Sequence, residues 1–189
     1  MHPYKNPLKK NLLILSGGIE AIEGIKVAKK MGLRTIVCDG NKNAPGKSYA
    51  DEFLIGNIYD PIEIKNVISK YRKKKSIDGV ITIASDAVRS VSTVVKQLNL
   101  SGNSMKTSIL STDKLKMKKV FQKYSLPIPN FVGISSRNEL HKQIEHFSDA
   151  VLKPVDNRGS RGVIRINKNS DVDKAFNYSM NFSSSKKLI

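Results

Sequence analysis

The fold class follows from the segment Asn11-Leu12-Leu13-Ile14-Leu15-Ser16-Gly17-Gly18, near the amino end of the chain. The apolar run over 11–15 favours a buried β-strand, and the two glycines favour a tight turn. A helical pattern follows over 20–31. A short apolar strand that passes through a glycine turn into a helix is typical of parallel sheets covered by helices. The sequence therefore predicts that an α/β domain begins here.

The same alternation continues as far as Leu98. Gly32 is a helix-ending residue and Pro61 is a helix-starting one. Further strands are predicted over 34–38, 51–55 and 79–83, and further helices over 61–73 and 86–98. This pattern predicts a doubly wound, Rossmann-like parallel sheet. We place this domain at residues 9–102, after a basic tail at 1–8.

The pattern changes in the second half of the chain, which we interpret as a linker helix and a partial α+β domain at 103–189. Thr112 or Asp113 is a natural cap for a helix that runs to Tyr124. The prolines of Leu126-Pro127-Ile128-Pro129 end that helix. Strands are then predicted over 131–134, 150–153 and 162–166, helices over 137–147 and 171–180, and the start of a strand over 187–189.

Composition excludes several classes of site. The net charge is +17, but lysines are spread along the whole chain without interleaved aromatic residues, so no specific nucleic-acid site is predicted. The single cysteine, Cys38, cannot form an intrachain disulfide, and the three scattered histidines do not suggest a metal site. No apolar run is long enough to cross a membrane, and we expect a cytoplasmic protein.

The glycine turn after the first strand is the first candidate for a ligand site. Gly17 and Gly18 would let the backbone approach a ligand at a helix amino terminus. The dinucleotide spacing G-x-G-x-x-G is absent, although Asp39 ends the second strand where a nicotinamide site would need an acid. A simple tight turn and a nicotinamide site both remain open.

A second candidate lies around Lys153, which ends a predicted strand. The following loop contains Gly159-Ser160-Arg161-Gly162. Glycines allow backbone amides to turn toward an anion, and the serine hydroxyl and arginine add donors and charge. This pattern suits the phosphates of a nucleotide. An ordinary basic β-hairpin is the alternative.

A third candidate is Lys114, in the first turn of the helix after Asp113, with Lys118 one turn further on. The helix dipole disfavours a lysine in this position, and a local cost of this kind can indicate a ligand. A solvated helix face is the alternative.

In their order along the chain, these motifs resemble the ATP-grasp superfamily, which includes biotin carboxylase and the large chain of carbamoyl phosphate synthetase. The resemblance covers a Rossmann-like domain, Ser111-Thr112-Asp113-Lys114-Leu115-Lys116-Met117-Lys118, the Leu126–Pro129 break, and Leu152-Lys153-Pro154 with its glycine loop. It implies a pre-ATP-grasp domain followed by the first α+β subdomain of an ATP-grasp fold, truncated.

The resemblance also implies roles for individual residues. Lys114 and Lys153 would contact the nucleotide phosphates, and Ser160, Arg161 and Gly162 would belong to the loop that closes over them. In the preceding domain, the substrate-binding residues would be Gly17 and Gly18, which frame the acceptor, and Asp86, which contacts a carboxylate. Asp86 could equally cap the following helix. No catalytic residue is assigned.

The implied reaction is phosphoryl transfer from ATP, with Mg²⁺, to a carboxylate, followed by attack of an amine on the acyl phosphate. The implied partners are ATP, a small-molecule carboxylate and, in a homodimer, a second copy of the chain. We expect the chain to stop before the adenine hinge and the magnesium ligands, so that it is an amino-terminal fragment without turnover. The alternative is a non-catalytic module that binds a nucleotide or another anion.

Overall fold

The computed structural model describes residues 9–189, so the basic tail predicted at 1–8 lies outside the described residues. The chain divides into two compact units, one that ends at Ser108 and one that spans Ile109–Ile189. Each unit is built around its own apolar core.

The first unit is a four-stranded parallel sheet covered by helices. Its order is β3-β2-β1-β4, so the first strand lies inside the sheet. Leu13 aligns with Ile36 on one side and Val80 on the other. The strands are β1 (Asn11–Leu15), β2 (Arg34–Asp39), β3 (Glu52–Ile55) and β4 (Gly79–Ile81), and the helices are α1 (Ile22–Lys30), α2 (Pro61–Arg72) and α3 (Val88–Leu98).

Both faces of this sheet are buried, which is why its strands read as continuous apolar runs. Leu13 and Leu15 belong to one core cluster together with Ile64 of α2. Ile14 belongs to the opposite cluster together with Ile25 of α1. Successive side chains of a strand point to opposite faces, so β1 supplies both cores. The predicted α/β class with a Rossmann-like parallel sheet is confirmed.

Helix α4 (Met105–Thr112), which spans the boundary between the units, is not predicted from the sequence. Its buried residue within the first unit is Ser108, whose hydroxyl accepts a 2.7 Å hydrogen bond from Ser92 of α3. This hydrogen bond attaches α4 to α3, and because it is a polar contact, no apolar periodicity in the sequence predicts it.

The second unit combines three helices with a small antiparallel sheet. Its elements are α5 (Lys114–Lys123), α6 (Arg137–Ile144), α7 (Val172–Asn181), β5 (Ala150–Leu152) and β6 (Ile164–Ile166). Fully buried Leu188 forms antiparallel bridges with both Ile134 and Pro154. The strand predicted over 131–134 is reduced to the single bridge at Ile134.

The core of the second unit brings Leu152 and Ile166 of the sheet together with Leu140 of α6 and Phe176 of α7. The fold therefore holds the end of β5, where Lys153 follows, against a rigid layer of helices. Across residues 9–189, every helix is too short or too polar to serve as a membrane span.

Candidate functional site

The first turn of α5 is hydrogen-bonded to the segment that follows Lys153. Asp113 caps the helix, since its Oδ1 accepts a 2.9 Å hydrogen bond from the amide of Lys116. The amide of Lys114 donates to the carbonyl of Val155 at 2.9 Å, and its Nζ donates to the carbonyl of Asn157. The ammonium of Lys114 is thereby held at the entrance of the glycine loop.

Side chains at the entrance of this loop are fixed by the segment that follows α7. Nδ2 of Asn157 donates to the carbonyl of Phe182 at 2.8 Å. The carboxylate of Asp156 accepts from the Ser183 hydroxyl at 3.1 Å and from the Ser185 amide at 2.6 Å. The loop therefore starts from a rigid base.

The loop itself contains three residues in the left-handed region of backbone space: Gly159, Ser160 and Gly162, with φ of 61°, 55° and 74°. Ser160 and Arg161 are exposed. The amides of Arg161 and Val163 donate to the carbonyls of Arg158 and Ser160 at 3.4 and 3.2 Å, so the loop consists of two tight turns. The loop is therefore a compact turn that exposes Ser160 and Arg161, and its role in phosphate binding stays a prediction.

Gly162 is the one position in the loop where glycine is required by packing as well as by conformation. It is buried, and a Cβ atom there would lie 2.8 Å from both Phe182 Cβ and Pro154 Cγ. Real Cβ atoms do not approach other atoms so closely. The end of the loop is thus packed onto the rest of the unit.

Lys153 is half-buried and follows β5 directly. Its amide and carbonyl pair with Ile189 at 3.0 and 2.9 Å, which fixes the backbone from which the side chain projects. Lys153 lines a cavity of about 350 Å³ whose walls are mostly apolar. Phe131, Ile144 and Leu152 are among the lining residues.

Lys118, one turn after Lys114 on α5, lines the same cavity. Its Nζ lies 5.4 Å from the centroid of the Phe131 ring, within cation–π range. Burial and the positive charge of Lys153 together hold the pKa of Lys118 below its ordinary value. The positive charges of Lys118 and Lys153 therefore repel each other.

The glycine turn of the first unit lies at the carboxyl ends of the parallel strands. The amide of Gly17 donates a 2.8 Å hydrogen bond to Oδ2 of Asp39, and Oδ1 of Asp39 accepts from the amide of Asn41 at 2.8 Å. A Cβ at Gly17 would lie 2.9 Å from Cβ of Ala44. Asp39 thus organises a tight turn with both oxygens, which is the simpler of the two alternatives left by the sequence.

A cavity of about 250 Å³ opens beside this turn. Gly18 lines it together with Asp39, Asn57, Tyr59 and Ser85. Ligands of open α/β sheets bind at this edge, outside the carboxyl ends of the strands. The cavity is therefore a second candidate site.

The two other substrate-site residues predicted in this unit are placed differently. Gly17 is buried behind the turn, and Asp86 is exposed beside Ser85. The N-cap of α3 is Ala87, so the structure does not place Asp86 at the capping position.

Comparison with known proteins gives a family match within the first unit and relatives that span both units. Residues 12–102 match the family described as PylC-like, N-terminal domain. Formate-dependent phosphoribosylglycinamide formyltransferase from Prochlorococcus marinus (strain NATL2A) is 25% identical over 183 residues, which cover 96% of this chain and 46% of that relative. The chain is related to the amino-terminal portion of ATP-grasp ligases.

Solved structures of ATP-grasp enzymes share this fold. Phosphoribosylglycinamide synthetase from Anaerococcus prevotii has a TM-score of 0.65 and 27% identity, covering 95% of this chain and 44% of that one. The biotin carboxylase domain of 2-oxoglutarate carboxylase from Hydrogenobacter thermophilus, in complex with MgADP, ADP and bicarbonate, has a TM-score of 0.73 and 17% identity, covering 95% and 43%. The chain spans somewhat less than half the length of the curated relatives it matches.

The recognition of an ATP-grasp portion from motif order is thus confirmed. The order of motifs placed Lys114, Lys153 and the 159–162 loop in one region, and all of them lie in the second unit. Sequence reasoning missed Asn157 and Phe131, which contact Lys114 and Lys118. Only the position of Asn157 between Lys153 and the glycine loop could have drawn attention to it.

A metal site would need several carboxylate, imidazole or thiolate groups that lie close together. Within residues 9–189, no three or more His, Cys, Asp or Glu side chains converge on a common point. We therefore assign none of the described residues to a magnesium ion.

Proposed function

We propose that this chain supplies the phosphate-binding part of an ATP-dependent carboxylate ligase of the ATP-grasp type. The observation that carries the proposal is the hydrogen bond from Lys114 Nζ to the carbonyl of Asn157, which holds an ammonium at the entrance of the loop that contains Gly159, Ser160 and Gly162. Lys153 lies in the same unit, directly after the strand β5 that leads into this loop. Together, these two ammonium groups and the glycine loop would form a receptor for a polyphosphate.

Each group has a physical task in this proposal. Lys114 and Lys153 offer compact point charges to the phosphate oxygens. The loop offers backbone amides and the hydroxyl of Ser160, and exposed Arg161 offers a planar donor that can bind two oxygens. Gly162 holds the end of the loop against Phe182.

The carboxylate acceptor would bind in the first unit, in the cavity beside the glycine turn. Gly18 lines this cavity, and Gly17 shapes it because only glycine fits against Ala44 and Asp39. Of the three predicted substrate-binding residues, Asp86 has the least support, because it is exposed and only its neighbour Ser85 lines the cavity. The relatives act on or bind formate and bicarbonate, so we propose a small carboxylate.

The proposed reaction is transfer of the terminal phosphoryl group of ATP to the carboxylate, and an amine then displaces phosphate from the acyl phosphate. Positioning and charge stabilisation dominate catalysis of this kind. Magnesium would supply further charge neutralisation when bound. The proposal places the protein in the cytoplasm, where ATP is available, and a homodimer stays a prediction.

Direct titration of the 189-residue chain with ATP tests the phosphate site. Replacement of Lys153 by alanine should weaken binding at least tenfold, or about 1.4 kcal/mol. Lys168→Ala, which removes an exposed lysine beyond β6, should leave affinity within twofold. Equal affinity of the Lys153 variant and the unaltered chain would refute the assignment.

The same titration separates the ligase from the alternative of a binding module. Micromolar affinity for ATP without magnesium, together with no carboxylate-dependent hydrolysis in the longest form of the protein that cells produce, would favour the module. Hydrolysis that requires both magnesium and a carboxylate would favour the ligase.

A further inference from the structure

Lys118 occupies an unusual position for a lysine of a surface helix. It is half-buried, and its ammonium lies 5.4 Å from the centroid of the Phe131 ring. It lines the apolar cavity together with Lys153. Two ammonium groups thus share one cavity whose walls are mostly hydrocarbon.

The charges that face Lys118 do not balance. Besides the two lysines, the charged side chain among the described lining residues is Asp149. Asp149 is paired with Arg165, whose Nε lies 2.7 Å from its Oδ1. The lining residues that α6 contributes, Leu140, Gln143 and Ile144, are uncharged, and so is Phe147 beyond the end of that helix. The side chains that line the cavity therefore carry excess positive charge.

Holding two cations close together in a partly desolvated place costs free energy. The pKa of Lys118 reflects this cost, because burial and the charge of Lys153 both lower it. The ring of Phe131 restrains the ammonium but cannot neutralise it. An anion that contacts both lysines would remove the repulsion and replace the lost hydration.

We propose that Lys118 and Lys153 bind one phosphate group between them, so that Lys118 is a further anion-binding residue of this cavity. The proposal rests on the proposed function, because it takes the phosphate of a nucleotide as the ligand. It adds a residue that lies one helical turn from Lys114, on the same face of α5. The three lysines would then follow the polyphosphate along one side.

The simpler role for Lys118 is to cover the cavity wall with its aliphatic stem. That role predicts that a neutral side chain of similar length, as in Lys118→Gln, leaves anion affinity unchanged. Lys118→Arg keeps the charge and should retain binding if charge matters.

The test titrates the full chain with two probes, ATP and inorganic tripolyphosphate, which lacks a base. Lys118→Gln should weaken both about tenfold, and Lys118→Arg should recover most of the loss. Lys119→Gln, which neutralises the exposed neighbouring lysine, is the matched control and should stay within twofold. A second readout is the ¹³Cε shift of Lys118 by NMR, whose titration midpoint should rise when tripolyphosphate is added.

Each outcome bears on one proposal. Loss of ATP binding in Lys153→Ala but not in Lys118→Gln, with an unmoved Lys118 midpoint, would overturn the role of Lys118 and keep the nucleotide site. Binding of tripolyphosphate through both lysines without measurable ATP binding would keep the lysine pair and overturn the nucleotide assignment. A chain that binds neither probe overturns both.

Discussion

Lys114 Nζ donates a hydrogen bond to the backbone carbonyl of Asn157, 43 residues further along the chain. The contact joins the amino end of α5 to the entrance of the 159–162 loop. It gives Lys114 a structural task in addition to its proposed contact with phosphate. The helix dipole disfavours a lysine in the first turn of a helix. Here the hydrogen bond to the Asn157 carbonyl offsets that unfavourable interaction.

Replacement of Lys114 by methionine should loosen the loop without unfolding the unit. Methionine keeps the length and the apolar stem but cannot donate to Asn157. We expect faster amide hydrogen exchange over 158–163 and a loss of ATP affinity of at least tenfold. Exchange measured by mass spectrometry should change little in Lys119→Met. Unchanged loop exchange in Lys114→Met would show that the tether does not hold the loop.

Two glycines of the loop allow a matched comparison of conformation with packing. Gly159 and Gly162 both have positive φ, but a Cβ at Gly159 meets nothing within 4 Å, whereas one at Gly162 meets Phe182 and Pro154. Gly159→Ala should cost about 1 kcal/mol of unfolding free energy, for the left-handed backbone alone. Gly162→Ala should cost about 2–4 kcal/mol, because overpacking adds to it.

Urea unfolding, monitored by hydrogen exchange of the β5 and β6 amides, measures the loss of unfolding free energy in both glycine variants. Equal losses would mean that the backbone around Gly162 relaxes freely. In that case the packing of the loop against Phe182 would not contribute to its conformation.

The first unit could be predicted closely because its signals are local. Each strand is an apolar run and each helix has a clear start or stop, such as Gly32 after α1 and Pro61 at the start of α2. α4 could not be predicted, because serine and threonine disfavour helices and its buried anchor is the hydrogen bond between Ser108 and Ser92.

The candidate site was predictable only in part, for a similar reason. Sequence order indicated Lys114, Lys153 and the glycine loop. The contacts of Lys118 depend on how α5 packs in the second unit, which no spacing along the chain reveals. The single bridge at Ile134 likewise depends on Leu188, 54 residues later.

Asp39 and Asp60 offer a second matched pair. Asp39 uses Oδ2 for the amide of Gly17 and Oδ1 for that of Asn41, whereas Asp60 uses Oδ1 alone to cap α2. Asp39→Asn must turn an NH₂ group toward one amide donor, which should cost about 1–3 kcal/mol. Asp60→Asn keeps the acceptor, and asparagine is an equally good cap, so its cost should be small.

Thermal or urea unfolding of the first unit distinguishes these two variants. If Asp39→Asn is as stable as Asp60→Asn, then the turn at Gly17 does not depend on the second carboxylate oxygen. The cavity beside the turn should keep its shape in that case.

Stability of the first unit should fall in acid because of Asp51. Burial raises the pKa of Asp51, but hydrogen bonds from Lys29 and Thr35 outweigh it and bring the pKa down to about 2. The Lys29 Nζ lies 2.8 Å from Oδ1, and the Thr35 amide lies 2.8 Å from Oδ2. A depressed pKa means that the folded state favours the charged form. The stabilisation is present above about pH 4 and is lost as the pH falls from about 4 to 2.

Asp51→Asn removes this contribution and isolates it from other acids. The neighbouring Glu52 is still charged in the variant and, despite the opposing effect of burial, its pKa is also lowered by Lys75 and Tyr71, so some acid sensitivity will remain. Because Asp51 is partly exposed and solvent screens its ion pair, we expect a difference of only about 1 kcal/mol at pH 7. That difference should shrink toward zero near pH 2 in urea unfolding measured across the range. A difference that stays constant with pH would mean that the lost stability comes from packing at position 51, and not from the charge of the carboxylate.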